Sequence, residues 1–239
     1  MAGIGDPEVD EILEVIEAMH PDGTPAPDEG LRERKKRRVR QRISDVATAM
    51  FLVHGFDKVT VARIAAACEV AEQTAFNYFP TKESMLFDRS EATISAVADA
   101  VRERGSVPLV DAVVQSLGAG IASGPRGTPD EAGHLSLFRR FCDVATGSPT
   151  LAAARFADVA RFIDEVSDAL AKRVGAHATD PEVQLATLVV AGIVRVRQQS
   201  TFHHVKHAGS LAALDDAVRS DVRRAARLAE PTLTAFDKI

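Results

Sequence analysis

Gln73 and Asn77 stand four residues apart, flanked by Glu72 and Tyr78. On an α-helix that spacing puts both amides on one face. A primary amide can donate to and accept from one adenine edge at once, so this pair suits the reading of base edges in a major groove. Glu72 could accept from a cytosine amine, or simply favour the positive end of a helix. Upstream lies a block of cations: Arg32, Arg34, Lys35, Lys36, Arg37, Arg38, Arg40 and Arg42, opposed only by Glu33. Such a block fits a run of phosphates and would supply salt-dependent affinity without sequence preference. A basic run by itself is more often a solvated face, so its meaning depends on the residues downstream of it.

Those downstream residues are helical in pattern. Residues 40–54 carry Ile43, Val46, Ala47, Met50 and Phe51 at helical spacing, with Gly55 as the stop. Thr60 is placed to cap a short helix over 61–68. A break at Glu69-Val70 leads into a second short helix, Glu72 to Phe79, stopped by Pro80. Thr81 caps a third segment, read as running from Lys82 to about Glu103. Two short helices joined by a tight turn cannot bury their own apolar faces, so the helices before and after must complete a small core. Ile43, Phe51, Phe56, Val59, Ile64, Val70, Phe76 and Phe79 are expected to supply it, leaving Glu72, Gln73, Asn77 and Tyr78 outside.

The stretch from Arg42 to Phe87, opening RISDVATAMFLVHGFDKVTVARIAAACEVAEQTAFNYFPTKESML, resembles the DNA-binding domain of TetR-family regulators. Phe51, Gly55-Phe56, Thr60-Val61, Ile64-Ala65, Val70, Thr74, Tyr78-Phe79 and Lys82-Glu83 carry the resemblance by order and spacing. It implies that Thr60, Thr74, Tyr78 and Lys82 hold backbone phosphates, a task suited to hydroxyls and an ammonium. With Gln73, Asn77 and Glu72 at the bases, and Arg38, Arg40 and Arg42 on phosphates or in a minor groove, these form the expected DNA-binding set. Two positions depart from the family pattern. Glu69 stands where a turn glycine is usual, and Ala71 where a serine cap is usual.

The rest of the chain is also helical in pattern, with segments near 107–123, 131–146, 149–174, 181–206 and 210–229, and breaks at Gly124-Pro125, Gly147-Ser148-Pro149 and Gly175. The expected fold is all-α: an acidic extension with a short amphipathic helix (1–30), a basic arm and helix-turn-helix (31–87), and a helical ligand-binding and dimerisation domain (88–239). Residues 1–30 hold no Lys or Arg but many acids, and the helix starting at Asp6-Pro7 is expected to dock on the body or on a partner subunit, its acids near the basic arm. The segments at 181–206 and 210–229 are, by the resemblance, the faces of a homodimer, which would place two reading heads about 34 Å apart on an inverted-repeat operator. The ligand implied is a hydrophobic or amphipathic small molecule, with Leu137, Phe138, Phe141, Phe156, Phe162, Val190 and Val194 as candidate lining and Arg140, Gln198 and His203 as polar contacts. A packed core would have the same composition.

The 239 residues carry a net charge of −5, which alone argues against a nucleic-acid binder; the blockwise distribution reverses that reading. No apolar run is long enough for a membrane helix, and acids stand where a secretory signal would be apolar, so a cytoplasmic location is expected. Cys68 and Cys142 fit free thiols. His203 and His207 share a helix face, yet no nearby carboxylate or cysteine completes a metal set. No motif pairs a nucleophile with a base and no Gly-rich phosphate loop occurs, so neither catalysis nor a cofactor is expected. The preferred reading is a sequence-specific DNA-binding regulator, a repressor released by a small molecule. Two alternatives stand beside it: a DNA binder without ligand control, and a helical enzyme or interaction protein with a non-functional reading head.

Overall fold

Every regular element in the computed structural model is helical among its described residues, 5–19, 30–118 and 131–237, and the side chains at 18, 19, 89–94, 156 and 157 lie outside the description. The helices are α1 (Pro7–Met19), α2 (Leu31–His54), α3 (Val61–Ala67), α4 (Glu72–Tyr78), α5 (Lys82–Leu86), α6 (Asp88–Glu103), α7 (Leu109–Ser116), α8 (Glu131–Gly147), α9 (Pro149–Val174), α10 (Pro181–His204) and α11 (Leu211–Leu233). They divide into two compact units. One holds residues 1–88 and 123–152, the other 89–122 and 153–239.

In the first unit α2 is the axle. Ile43, Val46, Ala47, Phe51 and their neighbours are fully buried, and they meet Ile64 of α3, Ala75 of α4, Phe79 and Met85. Phe51 and Phe56 pack ring to ring at 5.0 Å. Ser44 donates to the Met85 carbonyl at 3.0 Å, tying α5 to α2 inside the core. The basic block is not a loose arm: Leu31 to Arg42 form the first three turns of α2, a charged rod about 18 Å long.

The acidic helix docks on the body. Val9, Ile12, Leu13 and Ile16 of α1 are buried in the same core as α2. Asp6 caps it, accepting from the Glu8 amide at 3.1 Å. Two ion pairs, Glu17 with Arg42 and Glu8 with Arg140, help to fix its register, and Asp6 Oδ2 lies 3.2 Å from His54 Nε2. The expected linker after His20 lies outside the described residues.

Three expectations need correcting. Phe76 is not in the core: it is 38% exposed, while Ala75 is fully buried. Ala75 and Phe79 are four apart and share the inward face, which turns Phe76 about 100° away from it. The segment expected as one helix over 82–103 breaks at Phe87, where φ is −101° and ψ is 18°. No glycine or proline announces this break. Tertiary contacts hold it, with Phe87 against the core and Asp88 bonded to Arg40. The segment expected over 107–123 is helical only through Ser116, with 119–130 outside the described residues.

The second unit packs α10 against α11, with α7 against α11. Val183, Ala186, Val190 and Ile193 of α10 meet Leu211, Leu214, Val218 and Val222 of α11, all buried. Asp221 ties the pair, accepting from Ser200 at 2.7 Å and lying 3.0 Å from His204 Nε2. Arg104 reaches the chain's last helical turn, bonding Asp237 at 2.7 Å and the Phe236 carbonyl at 2.6 Å. No described helix is long and apolar enough to cross a membrane.

Candidate nucleic-acid interface

The turn between α3 and α4 is a Schellman motif. The Val70 amide donates to the Ala65 carbonyl at 3.0 Å, and the Glu69 amide to Ala66 at 3.1 Å. Glu69 sits at φ 56°, the left-handed position that glycine fills at least cost. The chain accepts the strain of a Cβ there. Ala71 takes the N-cap backbone conformation but supplies no side-chain bond. Thr60 does cap α3, its Oγ1 accepting from the Arg63 amide at 3.3 Å. Thr81 and Ser84 form a reciprocal capping box that starts α5.

Anchored this way, α4 turns a polar face outward. Glu72, Gln73 and Asn77 are exposed. Gln73 Nε2 donates to Asn77 Oδ1 at 3.2 Å, so the two amides already lie side by side. Thr74 and Tyr78 are half-buried, and the Tyr78 ring leans on the core with its face only partly open. Phe76 and, on α3, Arg63 are also exposed on this head. In sequence, the aromatic type of Phe76 points to the core. The inward pairing of Ala75 with Phe79 was the available signal against that. An exposed ring on a reading helix can rest on a thymine methyl.

Several expected phosphate ligands hold structural posts. Lys82 Nζ donates to the carbonyls of Phe56 and Val59, each at 3.0 Å, and lies 4.1 Å from the Phe56 ring centre. Two of its three donors are thereby engaged in joining α5 to the turn before α3. Arg40 grips Asp88 through Nε and Nη2, at 3.0 and 2.5 Å, and donates from Nη1 to the Tyr78 carbonyl at 2.8 Å. Its guanidinium also stacks 4.5 Å above Phe79. Arg40 therefore fastens the end of α4 to α2. Arg42 is paired with Glu17. Arg32, Lys35, Lys36 and Arg38 remain on the exposed side of the rod.

The candidate ligand residues divide between the two units. Leu137 and Phe141 pack on the core of the first unit, with Phe138 stacked on Phe141 at 6.3 Å. Arg140 is held by Glu8 and by the Leu52 carbonyl. Phe162 and Val190 are buried in the second unit, Val194 is half-buried, and Gln198 and His203 are exposed. The Phe156 side chain lies outside the description. A cavity of about 210 Å³ in the second unit is lined by none of them. Burial pushes the Cys68 thiol up to about 11 and Cys142 to about 12, so both are protonated, unreactive thiols near neutral pH.

Residues 43–88 match the family of bacterial regulatory proteins, tetR family. Over 82 residues the chain is 39% identical to the HTH-type transcriptional regulator TcmR of Streptomyces glaucescens, covering 34% of this chain and 36% of that one. Over 163 residues it is 28% identical to a Mycobacterium tuberculosis protein named as the mycofactocin biosynthesis transcriptional regulator MftR, covering 67% and 78%. The chain thus spans about a third of the first relative's length. A solved chain from Mesorhizobium loti, described as a TetR-family transcriptional regulator, superposes with a TM-score of 0.42 at 19% identity, over 81% of this chain and 98% of that one. Both relatives are named as regulators, neither as an enzyme.

Proposed function

Because residues 43–88 match the family of bacterial regulatory proteins, tetR family, we propose that the chain binds an inverted-repeat operator as a homodimer and represses until a small molecule releases it. The observation that carries this is the outward face of α4, where Gln73 and Asn77 are exposed, mutually aligned and mounted on a fully buried support. In the proposed complex α4 enters the major groove, Gln73 and Asn77 read base edges, and Thr60, Thr74, Tyr78 and the third donor of Lys82 hold phosphates. The exposed cations at the start of α2 lie along the flanking backbone or in a minor groove. Arg40 and Arg42 serve the site by holding the head together as much as by meeting DNA. On this proposal residues 31–87 are the reading unit, 1–30 an acidic extension whose helix α1 packs on it, and 88–239 the part that dimerises and takes the ligand.

Dimerisation through α10 and α11 is supported by an unspent apolar stripe. Leu185 and Leu188 are 55% and 54% exposed on α10, with Gly192 one turn further on. Leu228 of α11 is 85% exposed. Isolated exposed leucines are ordinary, but three on the two helices of one antiparallel pair favour a four-helix contact between copies. The reading is tested by selecting bound duplexes from a random DNA pool. Recovery of an inverted repeat, lost with Gln73→Ala and Asn77→Ala together, is the expected result. Failure to enrich any sequence in moderate salt would remove the proposal.

A further inference from the structure

The cavity in the second unit is walled on its apolar side by Val114 and Leu117, at the end of α7, and by Val218 and Val222 of α11. Three arginines also line it, Arg197 from α10 and Arg219 and Arg223 from α11, against one carboxylate residue, Asp215. Asp215 is only 4% exposed and already committed, accepting from Arg219 Nε at 3.0 Å and Nη2 at 2.7 Å. Arg197 is left short. Its Nε is shielded from solvent and has no hydrogen-bond partner. Burial pulls its pKa below the ordinary arginine range, and only the charge of Asp215 opposes that. A buried donor without an acceptor is costly, and a buried cation more so.

We propose that this crevice binds a small organic carboxylate, the anion seated on Arg197 and Arg223 and an apolar body resting against the valine and leucine wall. The lining favours an anion, since Asp215 is taken by Arg219 while Arg197 and Arg223 have no carboxylate in the lining left to them. The wall requires a hydrocarbon part, which excludes bare inorganic anions as the fitted ligand. A volume of about 210 Å³ equals roughly seven water molecules, which suits a ligand of about ten heavy atoms. The site deepens the regulatory reading by giving the releasing ligand a chemical class, and it rests on that reading only for its effect on DNA.

The test uses the full chain and three probes: octanoate, its neutral amide, and inorganic phosphate. Calorimetry should show octanoate binding at least about tenfold more tightly than octanamide or phosphate, as expected when a charge-assisted bond is removed or the apolar body is lost. Arg197→Met should abolish the preference for octanoate while its unliganded melting temperature stays level or rises, because a poorly compensated charge has been withdrawn from burial. Arg227→Gln, elsewhere on α11, should bind octanoate as the parent does. Equal binding of octanoate and octanamide, or undiminished octanoate binding by Arg197→Met, would overturn the proposal. A gel shift with and without octanoate separates the two levels. Calorimetric binding with no DNA complex at all would sink the regulatory reading and leave the carboxylate site standing.

Discussion

At the scale of single residues, the proposed function places the specificity on Gln73 and Asn77. Each good amide–base pair contributes about 1–3 kcal/mol of discrimination. Gln73→Ala and Asn77→Ala should therefore each relax base preference at one position of each half-site, while Thr74→Ala should weaken all sequences alike. Binding titrations on point-mutated operators distinguish the two patterns. Glu69 offers a test of the turn. Its φ of 56° strains a residue with a Cβ, so Glu69→Gly should raise the unfolding free energy by about 0.5 kcal/mol after glycine's greater unfolded-state entropy is set against the relief. Glu69→Val, which suits that region least, should lower it by about 1 kcal/mol. Urea unfolding of both variants checks the pair, and a stabilised valine variant would contradict the turn geometry.

At the scale of elements, short helices are held by side chains that reach across to them. A seven-residue helix such as α4 has little stability of its own. Its C-terminal carbonyl at Tyr78 is taken by Arg40, and the adjacent α5 is pinned by Lys82 and Ser44. Lys82→Met keeps an apolar stem near Phe56 but loses two charge-assisted bonds and the attraction of the ammonium for the ring. It is expected to cost about 1–2 kcal/mol of stability. If urea unfolding shows no loss, Lys82 acts on DNA alone. The pairing of α10 with α11 has its own signature in acid. Hydrogen bonds from Ser200 and then His204 hold the Asp221 carboxyl below its ordinary range. A carboxyl with a lowered folded-state pKa contributes stability that is complete above its unfolded value and lost as pH falls through the folded one. The parent should therefore exceed Asp221→Asn at about pH 5, and that margin should shrink as pH falls below about 4. A margin independent of pH would show that the charge of Asp221 is irrelevant.

At the scale of the whole molecule, charge is segregated and apolar surface is left over. The net charge of −5 coexists with a cationic rod because the acids of α1 are placed on its own unit, facing Arg42, Arg140 and His54. A long-range attraction for DNA can then persist on the exposed turns of α2. The exposed Leu185 and Leu188 predict assembly. Leu185→Asp with Leu188→Asp should yield monomers by sedimentation and reduce affinity for an inverted repeat far more than for a single half-site, since a dimer gains from two linked heads. A monomeric parent protein would remove the proposal for α10 and α11.

The periodicity of apolar residues and the placement of caps determined that this chain is helical, that α3 and α4 form a helix-turn-helix, and that Gln73 and Asn77 share one face. These are local properties, set by 3.6 residues per turn and by side chains reaching two or three residues along the backbone. Even the non-glycine turn at Glu69 could be placed from spacing. Only the tertiary structure decided which cations are committed. Arg40 and Lys82 look like free phosphate ligands in sequence, yet their partners, Asp88, Tyr78, Phe56 and Val59, lie 23 to 48 residues away. The break at Phe87, the outward turn of Phe76 and the crevice around Arg197 share that origin. Each depends on packing between elements, and no pattern read along one element carries that information.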